Sequence, residues 1–168
     1  MKPYNINDIA DYIILRLTSE EDVSLVNLKL QKLLYYVQAW SLGINGSTMF
    51  EGKFQAWVHG PVNRTIYDRF YHKSLYGFID REDVMNPVVM ESLAETDIEF
   101  IDYILENYAG YNGTQLEKMT HEELPWREAR GNIALTSRCT TEISEESMKT
   151  FYGEKWAQIN SKTELHTT

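Results

Sequence analysis

Three consecutive side chains, His121-Glu122-Glu123, come closest to catalytic chemistry in this chain. A His-Glu pair on a helix opens the pattern of a zinc-dependent hydrolase, in which a second histidine four residues after the first completes the metal-binding face. That position is Pro125 here, which also breaks the helix such a site requires. His121 is therefore expected to order a helix start through backbone hydrogen bonds. His59 precedes Gly60-Pro61, a corner where a histidine satisfies buried backbone or packs on an aromatic ring. His72 falls at a helix end, where a cation is favourable, and His166 in the tail, so the four histidines are scattered and no metal centre is expected.

Nucleophiles are equally isolated. Cys139 is the only cysteine, which excludes an intramolecular disulfide, and nothing around Arg138-Cys139-Thr140 suggests a helix N-terminus that would activate the thiol. Ser24, Ser41, Ser47 and Ser137 lack the Gly-x-Ser-x-Gly elbow. Gly43, Gly46 and Gly52 form neither a phosphate loop nor a dinucleotide fingerprint. Glu122, Glu123 and Glu128 read as solvated acids on helices. The expectation is a non-enzyme with no catalytic residues, no metal and no cofactor, whose output is a surface.

The elements that position such a surface follow from hydrophobic spacing. A first helix is capped by Asn5 or Asn7 and carries Ile6, Ile9, Ala10, Ile13 and Leu17 at helical intervals. The run Ser19-Glu20-Glu21-Asp22 reads as a solvated turn. A second helix starts at Ser24 or Asn27 and ends at Ile44, closed by Gly43, Asn45 and Gly46. Leu30, Leu33, Leu34, Val37, Trp40 and Ile44, widened by Tyr35 and Tyr36, make it the expected centre of the core. Residues 54–58 alternate as a short strand, Gly60-Pro61 turns the chain, and a third helix buries Val62, Ile66, Tyr67 and Phe70.

Residues 74–87 read as a loop pinned by Tyr76, Phe78 and Ile79. Asp97 caps a fourth helix that ends before Gly110, and Thr114 with Glu117 and Thr120 with Glu123 make two capping boxes. A last helix runs from Ser144 to Ile159, with Met148, Phe151, Tyr152, Trp156 and Ile159 on one side. The expected fold is mainly α: a single helical domain over 1–160 with a small β-hairpin or short antiparallel sheet, followed by a frayed tail over 161–168.

Composition narrows the function. The 168 residues carry 16 basic and 25 acidic side chains, a net charge of −9, with 11 Tyr and 4 Trp. That balance repels phosphates and favours basic protein partners, so nucleic acid is not expected as the main ligand. Met1-Lys2-Pro3 leads into a periodic segment without an apolar signal region, and no apolar run approaches a membrane span, so a cytoplasmic location without membrane contact is expected. Lys29, Lys32 and Tyr36 stand at i, i+3 and i+7 of the second helix. With Trp57, His59 and Arg64 they form the expected partner-binding surface.

Three blocks, Leu30-Gln31-Lys32-Leu33-Leu34-Tyr35-Tyr36, Ala56-Trp57-Val58-His59-Gly60-Pro61-Val62 and His121-Glu122-Glu123-Leu124-Pro125-Trp126, resemble in order and spacing those of the Panacea-domain family, which includes SocA-like and phage-associated antitoxins. The resemblance covers about Ile6 to Trp126. It implies a helical antitoxin encoded beside a toxin in bacteria, phages and mobile elements, which neutralises that toxin by direct stoichiometric binding. It also implies a minimal version without a separate DNA-binding module. Gly60, Pro61, His121, Pro125 and Trp126 are expected to scaffold the motif. The toxin is expected to be basic or to carry a basic surface, and a homo-oligomer is compatible with the sequence. The alternatives are an adaptor or regulatory protein of a mobile element, or an enzyme that reverses the toxin's modification.

Overall fold

Helix α1, Ile6–Thr18, starts where the Asn5 side chain accepts the Asn7 amide at 2.9 Å. In the computed structural model, which describes residues 1–19 and 23–166, Glu20-Glu21-Asp22 of the expected turn lie outside the described residues. Helix α2, Asn27–Asn45, is the axis of the domain: every residue from Leu28 to Leu42 is buried. It ends at Gly46, whose left-handed backbone (φ 71°) returns its amide to the Leu42 carbonyl. No side chain caps its start. Instead the Asn27 and Leu28 amides donate to the Gly77 and Leu75 carbonyls, so the loop expected over 74–87 satisfies the orphan donors of the central helix.

That loop is pinned differently from expectation. Ile79 is buried, and its amide donates to the Leu25 carbonyl. Tyr76 and Phe78, expected in the core, are 57% and 67% exposed. The backbone of Leu75, Gly77 and Ile79, not the Tyr76 and Phe78 rings, ties the segment down. Farther along, the buried Asp11 carboxylate pairs with Arg69 and accepts the Met85 and Asn86 amides, holding residues 83–86 against α1.

Strands β1, Gln55–Trp57, and β2, Gly60–Val62, form an antiparallel hairpin with Ala56 opposite Pro61. Gly60-Pro61 thus belongs to a strand rather than to the start of the third helix. Val58 and His59 form the turn, and neither has a positive φ, whereas Gly60 does, at 98°. A two-residue turn of that hand mismatches the strand twist, and a left-handed glycine after it absorbs the difference. Pro61 costs no ladder bond. Its partner Ala56 points its amide and carbonyl away from β2, to the Thr141 carbonyl and to Arg130, so the two residues are a non-hydrogen-bonded pair.

Helix α3, Arg64–Arg69, starts after Asn63, whose side chain accepts the Ile66 amide. Helix α4, Glu95–Tyr108, begins after Ala94; Asp97 lies inside it and accepts the Tyr4 hydroxyl at 2.6 Å instead of capping. Helix α5, Gly113–Glu122, is capped reciprocally by Asn112 and Gln115, both bonds 2.8 Å, two residues ahead of the expected Thr114–Glu117 box. The Thr120–Glu123 box does not form either: Thr120 is buried in the last turn of α5 and Glu123 turns inward. Helix α6, Leu124–Arg130, takes Pro125 in its first turn, where the missing N–H is harmless. Helix α7, Glu145–His166, continues through most of the segment expected to fray.

Helix α7 packs along α2 at closest range where Gly43 meets Tyr152 and Gly153. A Cβ on Gly43 would lie 2.7 Å from the Tyr152 carbonyl carbon and 2.8 Å from the Gly153 nitrogen. Gly43 is therefore a helix-contact residue, not a terminator. Since the obstacle is backbone, Gly43→Ala is expected to cost about 2 kcal/mol by forcing α2 and α7 apart. Gly110→Ala, with nothing within 4 Å, is the control and is expected within about 0.5 kcal/mol of wild type by urea denaturation.

Candidate functional site

The sequence expected Lys29, Lys32 and Tyr36 to share an exposed face of α2. All three are buried, Lys32 and Tyr36 completely. Helices α4, α5 and α7 and strand β2 pack around α2, so its polar residues serve internal bonds. Lys29 donates to the Ala109 carbonyl at 2.6 Å, at the C-terminal end of α4 where a cation is favourable. The Tyr36 hydroxyl donates to Glu123 at 2.5 Å, and its ring stacks on Tyr108 at 4.0 Å. Glu123 also accepts from Tyr152, and its other oxygen lies 3.0 Å from Lys155.

Lys32 donates to the Pro61 carbonyl at 2.9 Å and fixes the hairpin onto α2. Gly60 makes room for it: a Cβ there would meet Lys32 Cε at 2.5 Å and Thr120 Oγ1 at 2.9 Å. Burial pushes the Lys32 ammonium down to about 7, opposed by the Glu117 carboxylate.

Beside this anchor, the expected scaffold residues lie around the same hairpin. His121, in the last turn of α5 rather than at a helix start, stacks on Trp126 at 4.0 Å. Trp126 is 1% exposed and donates its indole N–H to the Trp57 carbonyl at 2.9 Å. Arg130 covers Trp126 at 5.0 Å and donates to the Ala56, Ala134 and Ser137 carbonyls. Burial pushes the His121 imidazole below its ordinary range, against the pull of Glu117. Glu117 Oε1 lies 2.7 Å from His59 Nδ1 and 4.0 Å from His121 Nε2. His121 and Trp126 thus stack beside the hairpin that carries Gly60 and Pro61, and Pro125 precedes Trp126 in the first turn of α6.

The remaining three of the expected surface residues, Trp57, His59 and Arg64, open onto one cleft of about 620 Å³, floored by Lys32 and the start of α2. Trp57 is half-buried, its indole N–H bonded to Gln55, and its ring lies 4.8 Å from Tyr67. The Arg64 guanidinium sits 5.3 Å from the Tyr67 ring and 5.9 Å from Trp57. Sequence reasoning placed Tyr67 in the core and did not single out Tyr71. Tyr67 is half-buried and Tyr71 is 75% exposed, and both line the cleft. The signal was present: Arg64, Tyr67 and Tyr71 stand at i, i+3 and i+7. Arg138 closes the cleft beside Cys139.

Among the described residues no group of three or more His, Cys, Asp or Glu side chains could hold a metal ion, and no helix is long and apolar enough to cross a membrane. Chemically, the cleft offers the aromatic faces of Trp57, Tyr67 and Tyr71 and the guanidinium groups of Arg64 and Arg138, with His59, Cys139 and the buried Lys32 also in its lining.

Residues 30–127 match the family model described as antitoxin SocA-like, Panacea domain. Over 112 residues the chain is 30% identical to a protein named Antitoxin SocA from Caulobacter vibrioides (strain NA1000 / CB15N). That alignment covers 62% of this chain and 60% of the relative, so the chain spans less than two thirds of the relative's length. No solved structure matches.

Proposed function

The chain belongs to the SocA-like antitoxin family with a Panacea domain, and on that premise we propose that it neutralises a neighbour-encoded toxin in the cytoplasm by direct, stoichiometric binding. The observation that carries this reading is the aromatic and cationic cleft, built largely from residues inside the family match. Tyr, Trp and Arg are the side chains that dominate protein–protein hot spots, because large rigid rings bury area at little entropic cost. Occlusion of a toxin surface requires this and no turnover.

The net charge of −9 supports encounter with a basic toxin. Glu95, Glu99 and Glu106 are exposed on the outer face of α4, one face through which that charge acts.

Co-expression with the adjacent reading frame under separate inducible control tests the reading. Rescue of growth is expected to saturate at a fixed antitoxin-to-toxin ratio, with a complex of the same stoichiometry recovered by gel filtration. Rescue at well below one antitoxin per toxin would overturn occlusion.

A further inference from the structure

The cleft has the opposite sign from the chain. Arg64, Lys73 and Arg138 line it with the buried Lys32, and no aspartate or glutamate does, in a protein whose net charge is −9; His59, also in the lining, is held by Glu117 at 2.7 Å. Lys73 is engaged: its ammonium donates to the Phe78 carbonyl at 2.8 Å and lies 3.4 Å from Asp83. Arg64 pairs with Asp68 at 3.3 Å, but both side chains are more than half exposed, and such a pair is worth little. Arg138 is exposed, with no ion-pair partner among the described residues. Two guanidinium groups therefore stand ready beside the rings of Trp57, Tyr67 and Tyr71.

We propose that this cleft receives an acidic segment of the toxin that carries an aromatic or large apolar side chain, a specification that rests on the antitoxin reading. Carboxylates meet Arg64 and Arg138 at the rim, where planar guanidinium groups take them in bidentate fashion. The apolar side chain settles among the aromatic rings, and a volume of about 620 Å³ holds a few residues of an extended chain. Such an anchor does not conflict with a basic toxin overall. Long-range attraction acts on net charge, whereas the anchor is read only on contact. The acidic face of α4 contributes nothing to the cleft lining.

A nucleotide would share the charge and ring preferences. Many phosphate sites add free backbone amides at a helix head or glycine-rich loop to their arginine and lysine contacts. The amides of Asn27 and Leu28, at the head of α2 beside this cleft, already donate to Gly77 and Leu75. The charged donors of the cleft are side chains spaced around a rim, which suits a peptide.

The test uses the full chain and the toxin encoded by the adjacent frame. Position 71, 75% exposed at the rim, is replaced by a photo-crosslinking residue, and the crosslinked toxin peptide is sequenced by mass spectrometry. Arg64→Glu/Arg138→Glu is assayed in parallel for affinity, with melting temperature as the folding control. The expected result is a crosslink into an acidic, aromatic-bearing segment and binding weakened at least about tenfold, with melting unchanged.

If the wild type binds and rescues, but the crosslink maps to a basic segment or the double reversal leaves affinity unchanged, the cleft proposal is overturned and the antitoxin reading stands. Displacement of toxin by millimolar ATP or GTP from the wild type, but not from the double variant, would overturn it in favour of a nucleotide. A wild-type chain that neither binds nor rescues removes the antitoxin reading and this inference together.

Discussion

Arg130→Ala is expected to destabilise the protein by about 3 kcal/mol or more and to open the cleft on its 134–140 side. Arg130 is 3% exposed and donates to three carbonyls: Ala56 at 2.9 Å, Ala134 at 2.7 Å and Ser137 at 2.6 Å. Hydrogen bonds from a charged donor contribute about 1.5–3 kcal/mol each and are not additive, so the total is a floor of one strong bond plus stranded acceptors. The guanidinium also covers Trp126, which in turn bonds the hairpin through the Trp57 carbonyl.

Removing that side chain unties the strand-side anchor of the loop that carries Arg138 and Cys139. Urea denaturation should show the loss. Amide exchange at Thr140 and Thr141 should rise more than at α1, since the Ala56 amide bonds the Thr141 carbonyl at that junction. Arg130→Lys keeps the charge but cannot reach three carbonyls in a planar fork, and should recover only a minor part. A loss below about 1 kcal/mol for Arg130→Ala would show that the loop holds itself.

Arg130 also marks where sequence legibility ends. Local rules read off much of the framework: a cap at Asn5 or Asn7, a glycine stop around Gly43 to Gly46 and a short strand over 54–58 follow from backbone chemistry within a few residues, whereas the second strand, Gly60–Val62, reads locally as a corner and a helix start. They failed where two frames satisfied the same rule. Asn112–Gln115 and Thr114–Glu117 both fit a reciprocal cap, and only the fold selects the first. They failed again where the decisive neighbour is distant in sequence. Nothing local says that Gly43 faces Tyr152, or that Glu123 turns inward to Tyr36.

The site divides along the same line. Trp57, His59 and Arg64 reach an open surface because hairpin alternation and the short α3 place them there. Lys29, Lys32 and Tyr36 share a helix face as the spacing said, but neighbouring elements cover that face. Helical periodicity gives which residues point together. It does not give what stands opposite them, and for a helix packed on all sides the polar stripe becomes an internal wiring layer. Tyr67 errs in the opposite sense, an aromatic at core spacing on a helix too short to be enclosed.

Lys32 gives that wiring a measurable consequence: stability should rise as pH rises from about 7 toward 10, and Lys32→Met should flatten that rise. Burial lowers the Lys32 ammonium from its ordinary 10.5 to about 7. The unfolded chain keeps its proton up to the ordinary value, so between the two it binds more protons than the folded protein. Stability therefore increases with pH across that window. Below about 7 both states are charged and the full burial penalty stands. At about 1.4 kcal/mol per pH unit, the span from 10.5 to about 7 sets a ceiling on the order of 5 kcal/mol.

Lys29 is lowered in the same direction and leaves a smaller residual slope in the variant. The buried tyrosines Tyr35, Tyr36 and Tyr152 are raised, so their contribution falls away above pH 10, and the comparison belongs below that. His121, lowered by burial, adds a rise only at more acid pH, below its ordinary 6.5.

Methionine retains the length and apolar stem but leaves the Pro61 carbonyl without its donor, a cost of about 1–3 kcal/mol. That cost offsets much of the relief at pH 6.5 and leaves the variant clearly weaker than wild type at pH 9.5. Urea denaturation midpoints at pH 6.5, 7.5, 8.5 and 9.5 measure both lines. Parallel lines for the two proteins would mean that Lys32 keeps its charge in the fold, stabilised more strongly by Glu117 than its burial allows. Converging or crossing lines would establish that the hairpin is held onto α2 by an amine whose protonation opposes folding.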